Sequence, residues 1–262
     1  MPHTLSATRL SLLLACLLVL AACAPRTLVP GPGDQAEAQS LWQSYLARSE
    51  QPSPFRLSLS LRMGKKGESR RVTALLWGND TQSLRLDVQA GVGTTLAKIS
   101  QKPSDFLLVA PVDGKAYWHH GTARPRLKLG VPLPLSLPDL ANLLTGEEKA
   151  VFGTSYLRLE KSQEGLGFVL NDPLEGLLSL DNEGRVQRFD QRPLKHGQGW
   201  KIDFVRDADG NLSKLDLGNH RGERLLLLVK NREKPQAFGS AQLSLEAPPG
   251  YPLLPLAQYA DH

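Results

Sequence analysis

The sequence predicts a mainly β protein with a few helices, an α+β class in which antiparallel strands carry the fold. Three observations predict it. From Phe55 onward apolar and polar residues alternate with period two, the pattern of strands with one buried and one wet face. Turn residues recur about every ten positions, the spacing of a sandwich or barrel of short strands. Glycine (23) and proline (19) are abundant, as many tight turns require.

The chain has 262 residues, 41% hydrophobic, 22% charged and 6% aromatic, a globular composition that argues against wholesale disorder or a fibrous repeat. No compositional shift divides it, so one domain over residues 36–262 is expected. Net charge is +5, and the basic residues are scattered rather than gathered in an arm, so nucleic-acid binding is not indicated. Both cysteines, Cys16 and Cys23, lie near the start. The domain itself therefore has no disulfide, no Cys-ligated zinc and no catalytic thiol.

Residues 1–22 read as a signal peptide. Arg9 supplies a basic start, and Leu10–Leu20 is a nearly unbroken apolar run, too short to span a bilayer, which needs about 20 residues, but suited to an export signal. The run ends in Leu20-Ala21-Ala22-Cys23, which resembles the bacterial lipobox. That resemblance implies cleavage before Cys23, a diacylglycerol on its thiol and an N-acyl chain on the new amino terminus. An ordinary secretory peptide cut after Ala22 is the other reading. Ala24, where an aspartate would retain the protein in the inner membrane, implies the outer membrane with the domain facing the periplasm. At roughly 0.8 kcal/mol per buried methylene, three acyl chains anchor a protein permanently. Residues 23–35, rich in Pro and Gly, read as the tether.

Ala36–Ser49 places Leu41, Trp42, Tyr45 and Leu46 at helical spacing, with Asp34 and Glu37 as a capping box and Pro52 and Pro54 as the stop. The polar face is not basic, so this helix is expected across the sheet rather than on a membrane. Strands follow at Phe55–Met63, Val72–Trp77, Leu84–Val88, Thr94–Ser100, Phe106–Ala110 and Lys115–His119. Leu129–Gly146 interrupts them: Gly130, Pro132, Pro134 and Pro138 exclude a sheet interior. After them, Leu140, Leu143 and Leu144 give a helical face that Gly146 ends. Strands resume at Tyr156–Lys161, Gly167–Leu170, Leu177–Leu180, Arg185–Asp190, Trp200–Val205, Leu212–Leu217 and Arg224–Val229, and Gln242–Glu246 reads as a last edge strand.

Several stretches, in this order, resemble the LolB family of outer-membrane lipoprotein receptors: Leu75-Leu76-Trp77 with Leu84-Arg85-Leu86; Gly91-Val92-Gly93-Thr94-Thr95; Leu129-Gly130-Val131-Pro132-Leu133-Pro134 through Leu140 to Gly146; Gly199-Trp200-Lys201-Ile202; and the strand Leu225–Lys230. The resemblance covers roughly Trp42 to Lys230. It implies a single half-open antiparallel β-barrel with the N-terminal helix and a mid-domain loop and helix inserted in the barrel. It further implies an apolar cavity for acyl chains, acylated lipoprotein cargo, a periplasmic LolA-like carrier as donor, and delivery to the inner leaflet of the outer membrane by a monomer. A protruding family loop with an exposed apolar residue, usually leucine, matches Gly91, Val92 and Gly93. The family's tryptophan after the Pro-x-Pro segment is replaced by Leu143, and residues from about 236 extend past the usual end.

The residues themselves place Leu57, Leu59, Leu61, Leu76, Leu86, Val88, Leu108, Leu140, Leu144, Trp200, Ile202 and Leu227 facing inward, either lining such a cavity or filling a solid core. Val92, apolar at a hairpin tip, either probes lipid or folds back on the sheet. No enzyme is indicated: none of the six histidines stands in a catalytic motif. His119 and His120, neighbours on a strand, face opposite ways and do not share a metal. Asp207-Ala208-Asp209-Gly210-Asn211 lacks the glutamate of a calcium loop and reads as a turn. No metal and no cofactor beyond the lipid on Cys23 is expected. Two functions stand: a lipoprotein receptor, or an envelope lipoprotein without receptor activity that acts as a scaffold or assembly factor with a solid barrel or binds another lipid.

Overall fold

The computed structural model describes residues 30–48, 53–65, 68–91, 93–120, 135–162, 165–172, 174–191 and 199–261. The signal peptide, residues 23–29 of the expected tether with Cys23 and Ala24, Val92 and the start of the Pro-rich loop lie outside the described residues.

Alternation folds the chain as expected. Six strands run as one meander: β1 (Phe55–Lys65), β2 (Glu68–Gly78), β3 (Leu84–Ala90), β4 (Thr94–Gln101), β5 (Asp105–Ala110) and β6 (Lys115–His120). Helices α2 (Leu137–Thr145) and α3 (Lys149–Phe152) follow. A second meander then runs through β7 (Arg158–Ser162), β8 (Gly165–Leu170), β9 (Gly176–Leu180), β10 (Val186–Gln191), β11 (Trp200–Arg206), β12 (Leu212–Asn219) and β13 (Glu223–Glu233). β13 pairs antiparallel with β1, with Leu61 opposite Leu227. With β14 (Leu253–Pro255) added at the β6 edge, the described residues form one 14-stranded sheet, in the order β14-β6-β5-β4-β3-β2-β1-β13-β12-β11-β10-β9-β8-β7.

Each inward row is apolar across strand after strand. One runs Tyr117, Leu108, Ile99, Leu86, Leu76, Leu57; another runs Met63, Leu225, Leu217, Ile202, Phe189, Leu178, Phe168. Residues of both rows belong to one buried cluster. A sheet this wide twists and curls, and here it curls around α2 as a half-open barrel. That helix has 9 residues, of which all but Pro138 and Thr145 are buried, the signature of a helix enclosed on every side. Its ends are fixed locally. Ser136 Oγ accepts from the Asp139 N–H and the Asp139 carboxylate accepts from the Ser136 N–H at 3.0 Å, and Gly146 closes the helix at φ 93°, where a side chain would be strained.

Two expectations change. Helix α1 spans Pro32–Ala47 rather than starting at Ala36: Gly31 is the N-cap, Pro32 is pre-shaped for the first turn, and Asp34 accepts from the Gly31 N–H at 2.8 Å. Asp34 thus acts from the third helical position. Gln242–Glu246 is not a strand; Ser240–Leu243 forms the short helix α4, started by Gln242 Oε1, which accepts from the Gly239 N–H at 2.9 Å. The added edge strand is β14 (Leu253–Pro255), and it runs parallel to β6, followed by a 3-10 turn over Leu256–Asp261.

Helix α1 buries Ala38, Trp42 and Tyr45. The Trp42 ring meets Tyr45, Tyr156 and Phe168 at centroid distances of 4.8, 4.9 and 5.0 Å. The β9–β10 turn seats against it at Gly184 (φ 74°), where a Cβ would fall 2.7 Å from Ser44 Cβ and from Tyr45 N. Gly222 shares the same φ of 74° with nothing within 4 Å. Gly184→Ala is therefore expected to cost about 1–3 kcal/mol more than Gly222→Ala in urea unfolding; equal losses would contradict this seating of α1.

Candidate functional site

Alternation on the strands and the enclosed face of α2 bring the twelve inward residues together. Leu57, Leu59, Leu61, Leu76, Leu86, Val88, Leu108, Leu140, Leu144, Trp200, Ile202 and Leu227 all belong to the single buried cluster and are between 0% and 6% exposed. The interior is filled: α2 and α3 place Leu137, Leu140, Leu143, Leu144, Val151 and Phe152 in it. Sequence reasoning had no pattern for α3, a single turn, and so missed Val151 and Phe152 as part of this plug.

Polar contacts that pattern reading also missed hold the plug to one end of the barrel. Arg232 of β13 donates through Nη1 to the Leu144 carbonyl at 2.6 Å and through Nη2 to the Leu212 carbonyl at 3.2 Å. The first bond places a cation on the C-terminal carbonyls of α2, where the helix dipole favours it. At the start of α3 the Glu148 carboxylate accepts from Arg206 Nη2 and from the Val186 N–H at 3.1 Å, and Arg206 also donates to the Val186 carbonyl at 3.1 Å. Burial pushes the Glu148 carboxyl above its ordinary value, and the Arg206 charge and the Val186 N–H offset that only in part. Tyr45 of α1 donates to the Gly153 carbonyl at 2.9 Å, and Lys149 Nζ to the Leu46 carbonyl at 2.8 Å. For Arg206, Arg232, Glu148 and Lys149 a charged residue is the only sequence signal, and it does not separate them from solvent-facing charges.

Between these contacts lies a cleft of about 380 Å³, lined in part by Arg48, Arg185, Arg206, Arg232, Glu147 and Glu148. Leu144 borders it, so the cleft opens directly onto the plug. Trp200 borders a second, shallower depression with Asp203 and His220. The opposite end of the barrel carries the β3–β4 and β5–β6 turns. Gly91 (φ 55°) and Gly93 (φ 89°) are exposed there with open space around them, while Val92 between them lies outside the described residues. Val112 of the next turn is 65% exposed, an apolar tip that sequence reading passed over.

The remaining polar candidates are placed as follows. His119 faces inward opposite Phe106, and His120 faces outward opposite Asp105. The 207–211 turn is closed by its own carboxylate, Asp207 Oδ1 accepting from the N–H groups of Asp209 and Asn211 at 3.1 and 2.8 Å. Among the described residues no three His, Cys, Asp or Glu side chains are grouped to hold a metal.

No protein-family model matches the chain. No curated protein matches it in sequence. Solved structures do match its fold. A domain named for outer membrane lipoprotein sorting, from Vibrio parahaemolyticus, is 13% identical, with a TM-score of 0.54 over 78% of this chain and 95% of that one. A LolA superfamily protein from Nitrosomonas europaea is 12% identical, with a TM-score of 0.54 over 79% of this chain and 97% of that one. At such identity the likeness is one of architecture. This chain has the LolA-like half-open barrel fold.

Proposed function

We propose that this protein is a lipid-anchored receptor on the periplasmic face of the outer membrane, which accepts acylated lipoproteins from a soluble LolA-like carrier and helps insert them in that membrane. The supporting observation is a LolA-like barrel whose inner face is apolar from β6 to β8 and is filled by the side chains of α2 and α3. Anchoring through Cys23 and the outer-membrane address of Ala24 rest on the lipobox resemblance. The same holds for Gly91-Val92-Gly93 as the loop that probes lipid.

Magnitudes make the exchange workable. Six plug side chains, at about 2 kcal/mol each for full burial, hold the closed state with roughly 12 kcal/mol. An acyl chain of about 15 methylenes gains a similar sum at about 0.8 kcal/mol each. Cargo therefore substitutes for α2 and α3 at little net cost, and the polar contacts of Arg232 and Glu148 decide how firmly the barrel stays shut. Transfer then follows differences in acyl-chain affinity between carrier, receptor and bilayer, with no bond made or broken. The second reading is an envelope scaffold whose core never opens; the close packing of the twelve inner residues favours it.

Three outcomes follow. The exported Cys23→Ala chain is expected to raise the fluorescence of an apolar dye, and Arg232→Ala to bind it roughly tenfold tighter, the equivalent of one lost charged hydrogen bond. A solid core predicts no dye signal from either. Radiolabelled palmitate is expected to enter the wild-type chain in cells and to be absent from Cys23→Ala; labelling of both would contradict the anchor. The raised Glu148 value means the folded state holds its proton more tightly than the unfolded state, so this residue's contribution to stability falls as pH rises from about 4.5 through the raised value. Urea midpoints of Glu148→Gln should therefore change less with pH than those of the parent across that window, and parallel profiles would contradict the assignment.

A further inference from the structure

The segment after Pro235 touches three surfaces in succession. It first crosses the outer face of the sheet, where it is clamped. Asn79 Nδ2 donates to the Phe238 carbonyl at 2.9 Å, and the Phe238 N–H donates back to Asn79 Oδ1 at 2.6 Å. Trp77 Nε1, Arg85 Nη1 and Ser100 Oγ donate to the carbonyls of Gln242, Ser244 and Leu243 at 3.2, 2.6 and 3.1 Å. Phe238 and Leu243 are buried, and the Arg56 guanidinium lies 5.3 Å from the Phe238 ring centre.

Past Ser244 the hold weakens. β14 has 3 residues, pairs in parallel, and ends in Pro255, which has no N–H to give. The parallel register sets Leu254 beside Tyr117, and Tyr117 belongs to the inward row. The chain therefore rounds the β6 edge and continues on the inner side. Leu254, Leu256 and Tyr259 all pack against the inner cluster. The Tyr259 ring meets Tyr117 edge-on at 4.9 Å. Leu253, facing the other way, is 53% exposed.

We propose that residues 245–261 are a tethered lid on the β6 side of the barrel mouth, whose Leu254, Leu256 and Tyr259 side chains occupy the entry path of a fatty chain and are displaced by it. This rests on the receptor reading above and adds the control of access to it. A clamped base keeps the tip at high local concentration, while the tip is held by a three-residue parallel strand, by the Ala116 N–H donating to the Pro252 carbonyl at 3.0 Å, and by the apolar contacts of Leu254, Leu256 and Tyr259, which a fatty chain can replace. An incoming chain meets apolar groups already in place, so the inner cluster is never wetted during the exchange.

The test compares three forms of the exported Cys23→Ala chain: full length, ending at Ala247, and full length with Leu256→Ser and Tyr259→Ala. Each is titrated with a fluorescent sixteen-carbon fatty acid, and amide exchange of residues 251–261 is followed on saturation. The double substitution leaves β14 in place should the truncated form misfold. Both altered forms are expected to bind about fivefold tighter or more, and tail exchange in the full-length form is expected to rise on loading. Equal binding by all three with unchanged tail exchange overturns the lid and leaves the receptor reading standing. No binding by any form overturns the receptor reading, and the lid with it.

Discussion

Covering one continuous apolar face is the constraint on which the structure depends. Thirteen antiparallel strands present leucines, valines and aromatics on the same side, and no single helix is broad enough to shield so wide a surface. The sheet therefore curls over its own side chains. Helix α2, buried on nearly all sides, fills the centre, and α1 lays Trp42 and Tyr45 over the β7–β9 side. The joining of the two meanders at β1 and β13, where Leu59, Leu61 and Met63 stand opposite Val229, Leu227 and Leu225, makes the inner surface uninterrupted.

Much of this was legible in the residues, because period-two alternation and turn chemistry are local signals. Phe55 through Met63 alternates without a break, and the turn at 181–184 carries Asp and Gly where a hairpin needs them. The capping residues Ser136 and Asp139 are equally local. What was not legible is what depends on distant partners. Arg232 acquires a role only because the β1–β13 pairing carries it to the end of α2. Glu148 acquires one only because Arg206 and Val186, remote in sequence, close around it. The tail was misread for the same reason: Gln242–Glu246 has ordinary strand composition, and its fate was settled by the hydrogen-bonding groups of Trp77, Arg85 and Ser100 on a surface that sequence periodicity does not locate.

The interior differs in kind from the groups that close it. Its leucines are interchangeable with any hydrocarbon of similar volume, since burial of apolar area is non-directional. The contacts at the rim are directional and few. On the receptor reading proposed above, such a barrel would stay shut in water and open to a guest that offers the same apolar area, so transport of acyl chains would need no cavity in the resting state. The alternative, a core closed for good, has the same packing and differs only in whether α2 and α3 move.

Movement of α2 and α3 away from the rim is read from the distance between plug and rim. Spin labels at Ala150→Cys on α3 and Asn211→Cys on the β11–β12 turn, both exposed, in the Cys23→Ala chain report it by pulsed electron resonance. With a diacylated lipopeptide bound, the distribution is expected to lengthen by several ångströms and to return when the lipopeptide is withdrawn. An unchanged distribution at saturating lipopeptide would contradict the account and leave the barrel a solid scaffold.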